Sequence, residues 1–128
     1  MSLLLDTHAL IWWFLDSPRL SGPARAAIKA YGDPVHVSAV SAFEIATKVR
    51  LGKLPDAARL DRSFAAFLDA QDFKPLPLTL KHALVAGGLS DSHKDPFDRL
   101  LIAQALTENL TLVSNERLFD GFGVRRLW

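Results

Sequence analysis

Short apolar runs alternate along this chain with longer stretches in which apolar residues return every three or four positions. Residues 3–6, Leu-Leu-Leu-Asp, read as a short buried strand closed by an acid. A helix is predicted over residues 8–15, with Thr7 available as its cap and Asp16-Ser17-Pro18 ending it. Ser21 caps a second helix that carries Pro23 in its first turn and runs to about Tyr31, where Gly32-Asp33-Pro34 breaks it. Residues 35–38 form a second strand. Ser41 opens a helix that continues to about Leu51 and stops at Gly52. Leu60, Phe64, Phe67 and Leu68 repeat at i, i+4, i+7 and i+8, the spacing of one amphipathic helix.

Residues 73–77 make a short extended segment whose prolines place it at a sheet edge. Thr79 starts a helix that Gly87-Gly88 ends, and Asp95-Pro96 opens another to about Glu108. Residues 110–114 read as a strand, 116–119 as one helical turn and 124–127 as a last strand. This alternation predicts the α/β class, a three-layer α/β/α sandwich with a central, mainly parallel sheet, as a single domain over residues 1–128.

The predicted topology gives four acids a common address. Asp6, Glu44, Asp98 and Glu116 each fall where a strand hands over to a helix, or at the start of a helix. In an open parallel sheet the carboxyl ends of the strands share one edge, and ligands bind outside it. Clustered carboxylates call for a cation, and hard oxygen donors suit Mg²⁺ or Mn²⁺. Each acid also has an ordinary reading. Asp6 could be a helix cap or a surface acid. Ser41-Ala42-Phe43-Glu44 matches a capping box, and Glu44 is spaced to pair with Lys48 one turn on. Asp95 is well explained as the cap before Pro96, which leaves Asp98 as the candidate ligand and Asp95 as cap or supporting partner. Glu116 could be a solvated turn residue.

Composition narrows the chemistry. The chain has 128 residues, 49% of them hydrophobic, enough for an ordinary core. It has no cysteine, which excludes disulfides, zinc–thiolate sites and thiol catalysis. Net charge is +1, so a nucleic-acid partner would need a local patch. No basic leader and no membrane-length apolar run are read at the sequence level, which leads us to expect a cytoplasmic protein without a membrane partner. There is no phosphate-binding G-x-x-x-x-G-K-[ST] loop, and none of His8, His36, His82 and His93 has metal-ligand spacing to another. Trp12 and Trp13 are adjacent on one helix, so they cannot both face the core.

Four strings carry a resemblance. They are Leu3-Leu4-Leu5-Asp6-Thr7-His8-Ala9-Leu10-Ile11-Trp12, Ser41-Ala42-Phe43-Glu44-Ile45-Ala46-Thr47-Lys48, Asp95-Pro96-Phe97-Asp98-Arg99-Leu100-Leu101-Ile102-Ala103-Gln104-Ala105 and Leu112-Val113-Ser114-Asn115-Glu116. In this order they resemble PIN domains, and most of all the VapC-type ribonuclease toxins of bacterial toxin–antitoxin pairs. The resemblance implies a metal-dependent endoribonuclease in which Asp6, Glu44, Asp98 and Glu116 are catalytic and hold one or two Mg²⁺ or Mn²⁺ ions. The family's fourth acid is usually Asp. Glu116 keeps the charge on a longer arm, as a direct ligand or through a water. Thr7, Asp95 and Ser114 would support the ligands from behind. Lys48, Arg50, Lys53 and Arg99 would touch the RNA backbone, their alternative being a solvated basic face. The family further implies cleavage to a 5′-phosphate and a 3′-hydroxyl, a cognate antitoxin and a homodimer. The competing reading is a catalytically degenerate PIN fold that binds RNA or protein without cutting.

Overall fold

The computed structural model describes residues 1–30, 32–90 and 93–128; the predicted end of the second helix at Tyr31 lies outside them. The elements run in the order β1 (Leu3–Leu5), α1 (Thr7–Phe14), α2 (Gly22–Lys29), β2 (Val35–Ser38), α3 (Ala39–Arg50), α4 (Ala58–Arg62), α5 (Phe64–Gln71), β3 (Lys74–Leu76), α6 (Leu80–Gly88), α7 (Pro96–Glu108), β4 (Thr111–Val113) and β5 (Arg126–Leu127). Short 3-10 turns at Pro55–Ala57 and Arg117–Phe122 complete them.

All five strands pair in parallel, in the order β3-β2-β1-β4-β5. β1 is central, with Leu3 and Leu5 in register with Val35 and Val37 on one side and with Thr111 and Val113 on the other. Winding goes outward from β1 to β3, then resumes on the opposite side at β4. The chain therefore has a topological switch point between β1 and β4, where the helices that follow the two strands part and leave a crevice.

Alternate side chains of the central strands feed two cores. Leu3, Leu5, Val35, Val37 and Val113 pack on Ala9, Leu10, Ile28, Ile45, Leu60 and Leu68 from α1 to α5. Leu4 and Leu112 face the other way, onto Val40, Leu101, Ile102, Ala105 and Phe119. A sheet with a core on each face is the three-layer sandwich predicted from the alternation of elements. Each buried leucine of β1 is worth on the order of 2–5 kcal/mol against alanine, and this packing fixes the strand end from which Asp6 emerges.

Several local expectations need correction. Asp6 caps α1 and Thr7 is already helical: the Asp6 carboxylate accepts from the Ala9 amide at 2.8 Å. α3 begins three residues earlier than expected, capped by Ser38, whose hydroxyl accepts from the Val40 amide at 2.9 Å. Ser41 is therefore buried inside the helix. The amphipathic helix around Leu60 and Phe64 is two helices, broken at Ser63. Ser21, Thr79 and Asp95 cap α2, α6 and α7 as expected, and β3 is an edge strand.

Candidate active site

A polar pocket of about 310 Å³ opens at the switch point. It is lined by Asp6, Thr7, His8 and Trp12 from the start of α1, by Glu44 and Lys48 from α3, by Asp95 and Asp98 from α7, and by Asn115, Glu116 and Phe119 after β4. The four acids singled out from the sequence thus line one cavity, although they come from four separate segments. A larger cavity of about 590 Å³ lies between α5 and the β3 edge, but its lining is mostly apolar, with Asp69 its single charged residue. Of these two, the smaller pocket is the one that gathers several titratable groups.

Asp6 is almost fully buried. Its backbone amide donates to Val113 across the switch point at 3.1 Å, which ties the carboxylate's position to β4. Burial pushes its pKa up to about 6; bonds from Ser114 and the Ala9 amide and the nearby His8 pull it down, and the charge of Asp98 adds to the rise. The Asp98 carboxyl is also raised, first by burial, against the lowering effect of a hydrogen bond from His93, and further by Asp95 and Glu44. Both carboxyls are thus disfavoured as anions mainly by burial, and each has other acids of the pocket nearby.

Glu44 is held differently. Its Oε1 accepts from Thr7 Oγ1 at 2.6 Å and its Oε2 from Lys48 Nζ at 2.6 Å. The Lys48 pairing is the i, i+4 contact its spacing allowed, whereas the capping box is absent because Ser41 is not the cap. Ser41 Oγ instead lies 3.0 Å from Thr7 Oγ1 and completes a buried polar knot between α1 and α3. The Lys48 pKa is raised, chiefly by its bond to Glu44, with Asp95 and Asp98 adding to it.

On α7, Asp95 Oδ1 accepts from the amides of Phe97 and Asp98 at 2.9 and 3.2 Å, so its capping role is filled as predicted. His93 Nε2 donates to Asp98 Oδ2 at 2.8 Å. Arg99 does not point into the pocket. Its guanidinium donates to four carbonyl oxygens, those of Ala86, Leu89, Ser90 and His93, at 2.6–2.8 Å. It closes the end of α6 and holds the segment bearing His93. Arg50 and Lys53 are exposed at the end of α3 and just beyond it. Ser114 Oγ accepts from the Glu116 amide at 3.0 Å and also bonds Asp6. Glu116 caps the following turn, its Oε1 accepting from the Leu118 amide at 3.1 Å.

The donor chemistry suits a hard divalent cation. All the candidate ligands are carboxylate oxygens, and burial is the first cause that raises the pKa values of Asp6 and Asp98, with nearby acids adding to it, Asp98 for Asp6 and Asp95 and Glu44 for Asp98. Among the described residues no group of three His, Cys, Asp or Glu side chains is arranged to hold a metal ion. Mg²⁺ commonly takes one or two carboxylates and completes its shell with water, so the Asp6–Asp98 pair is what makes the fit.

Sequence reasoning passed over several residues of this pocket. His93 has no metal-ligand spacing to another histidine, and no spacing rule connects it to Asp98. His8, Trp12 and Asn115 fall inside the strings that carry the resemblance but have no role assigned there, and Phe119 falls outside them. Trp12 and Trp13 are both half-buried: Trp12 packs against His8 and Trp128, and Trp13 against Phe73, with its Nε1 donating to Gln71. No described helix is long and apolar enough to cross a membrane.

Comparison with known proteins agrees with this architecture. The family model of the PIN domain matches residues 3–123. Ribonuclease VapC22 of Mycobacterium tuberculosis is 32% identical over 117 residues, 91% of this chain and 88% of that protein. Among solved structures, VapBC2 from Rickettsia felis bound to a DNA fragment from its promoter superposes with a TM-score of 0.70 at 20% identity, covering 98% of this chain and 97% of that one. FitAcB from Neisseria gonorrhoeae gives 0.71 at 18% identity, covering 97% and 95%. At such identities these structures speak for the fold alone, whereas the family match and the VapC22 likeness extend over nearly the whole sequence. The chain belongs to the PIN-domain family.

Proposed function

We propose that this protein is an endoribonuclease dependent on Mg²⁺ or Mn²⁺ and the toxin of a VapBC-type pair, acting in the cytoplasm as a single domain. The observation that carries this reading is that Asp6, Glu44, Asp98 and Glu116 line one polar pocket at the sheet's switch point, with the carboxyls of Asp6 and Asp98 disfavoured as anions by burial. The likeness to Ribonuclease VapC22 supports RNA as the substrate class. A solved structure of the same fold that is described as a toxin–antitoxin complex, from Klebsiella pneumoniae, supports a cognate antitoxin as partner. A homodimer belongs to the same reading by family likeness.

We assign Asp6 and Asp98 as the principal ligands, with Glu116 and Glu44 completing the set for one or two ions. A divalent ion held by these residues would supply Lewis acidity for water attack on a phosphodiester and for charge on the leaving oxygen. The chain's own residues prepare the site. Ser114 and the Ala9 amide orient Asp6, and His93 and Asp95 orient Asp98 and the start of its helix. Thr7 fixes Glu44, and Glu44 in turn fixes Lys48, which presents positive charge to an approaching phosphate. Arg50 and Lys53 extend that basic rim along the end of α3, whereas Arg99 serves it indirectly by holding the His93 segment. Without such a rim the acidic pocket would repel a polyanion.

Pulsed expression followed by transcriptome-wide mapping of cut sites and end groups tests this. The reading expects growth arrest and new ends carrying a 5′-phosphate opposite a 3′-hydroxyl. New ends bearing a 2′,3′-cyclic phosphate would show that a ribose hydroxyl, not water, is the nucleophile, and the assignment would be wrong.

A further inference from the structure

Phe43 is 65% exposed on α3, and it belongs to neither core. Its ring lies against that of Phe97, with centroids 5.9 Å apart and planes inclined at 51°. Phe97 packs on the core beneath it, so its own position is explained by burial. Lys48 Nζ stands over the Phe97 ring, 5.7 Å from its centroid, and Lys48 also lines the acidic pocket. The two aromatics immediately precede Glu44 and Asp98 in the chain. The exposed Phe43 ring thus connects through Phe97 to a cation that lines the acidic pocket.

We propose that Phe43 and Phe97 form a stacking platform for an unpaired nucleobase of the RNA, next to the phosphate that enters the acidic pocket. The proposal rests on the ribonuclease reading. A lone exposed apolar side chain needs no explanation, but this one is anchored by a second ring, and that second ring shares Lys48 with the pocket. Every base has a π-face, so such a platform accepts bases with little regard to sequence and contributes to affinity through stacking. It accepts them only when they are free of a duplex, which directs cleavage to single-stranded loops. Lys48 is suited to the neighbouring phosphate because its own partner, Glu44, holds it in place. A protein segment could cover the same rings, but it would have no use for the cation shared with the acidic site.

The test is binding of a fluorescein-labelled oligoadenylate, and of the same oligomer carrying abasic residues, to the full-length protein in EDTA. Wild type, Phe43→Ala and Phe43→Trp are compared by fluorescence anisotropy. Phe43→Ala is expected to weaken oligoadenylate binding about tenfold, to bind the abasic oligomer as wild type does, and to be rescued by Phe43→Trp. If Phe43→Ala binds both oligomers like wild type, the platform is overturned, while the ribonuclease reading stands. Equal loss on both oligomers also overturns it, since the ring would then act through folding. A wild-type protein that binds neither oligomer also overturns the platform, whereas the ribonuclease reading is decided separately by cleavage with the ion present.

Discussion

Thr7 Oγ1 donates to Glu44 Oε1 at 2.6 Å, joining the first turn of α1 to the second turn of α3 across 37 positions of sequence. A hydroxyl that could have capped its own helix instead orients a carboxylate on another. It is free to do so because Asp6 has taken the cap. Thr7→Val keeps the shape but leaves Glu44 short of a donor in a buried setting. Loss of a buried hydrogen bond to a charged group costs about 1.5–3 kcal/mol. We expect that loss in urea denaturation, together with slower RNA cleavage, and expect Thr7→Ser to recover most of both. Unchanged stability in Thr7→Val would mean that the bond contributes nothing.

Asp6→Asn should be more stable than wild type at neutral pH. The folded-state pKa of Asp6 is raised from 3.8 to about 6, so the native protein holds the ionised form at a cost. That cost is absent below 3.8, where both folded and unfolded chains are protonated. It grows as pH rises toward 6 and is fully present above it. At about 1.4 kcal/mol per pH unit between the two values, the upper bound is about 3 kcal/mol. Denaturation at pH 7.5 and pH 4 checks the sign: the advantage of Asp6→Asn should shrink at the lower pH. An advantage that grows on acidification would contradict it.

Arg99→Met should destabilise the fold by about 3 kcal/mol, because four carbonyl oxygens lose a charged donor. Arg99→Lys should recover only part, since an ammonium cannot serve them as a planar fork does. A residue whose task was to touch phosphate would behave otherwise, with normal stability and weaker, less salt-dependent RNA binding. Thermal denaturation of the two variants separates these outcomes.

Glu116 should tolerate change better than Asp98. One of its oxygens caps the Arg117–Phe122 turn through Leu118, which leaves the other for the pocket. Glu116→Gln keeps the cap and should lower cleavage about tenfold. Asp98→Asn should lower it by a hundredfold or more, in the range expected for losing a metal ligand rather than its support. Glu116→Asp should remain active. Cleavage measured across a Mg²⁺ titration decides, and equal loss in Glu116→Gln and Asp98→Asn at every concentration would refute the ranking.

Much of this site was legible because parallel α/β topology sends strand ends to one edge. Asp6 after β1 and Glu116 after β4 needed only the element order, and the Asp95-Pro96 cap left Asp98 as the acid without a local task. What could not be read were partners set by tertiary packing. Thr7 and Ser41 were assigned to caps because a hydroxyl before an apolar helix usually is one; which hydroxyl caps depends on where the helix starts, and Asp6 and Ser38 came first. The break at Ser63 escaped because the apolar spacing from Leu60 to Leu68 runs through it unchanged. Arg99 looked like a phosphate contact because it follows an acid, yet the carbonyls it serves belong to α6 and the segment after it. His93 lacked any spacing signal, since its partner is met across the turn into α7.

The most direct test of the central claim is cleavage of a single-stranded RNA by the purified protein, with Mg²⁺ or Mn²⁺ titrated against EDTA, for wild type, Asp6→Asn and Asp98→Asn. Metal binding is followed in parallel as an ion-induced rise in melting temperature. The account predicts cleavage by wild type only with the ion present, no cleavage by either variant, and an ion-induced stabilisation that both variants lose. Cleavage in EDTA, or wild-type cleavage by folded Asp6→Asn or Asp98→Asn, would contradict it.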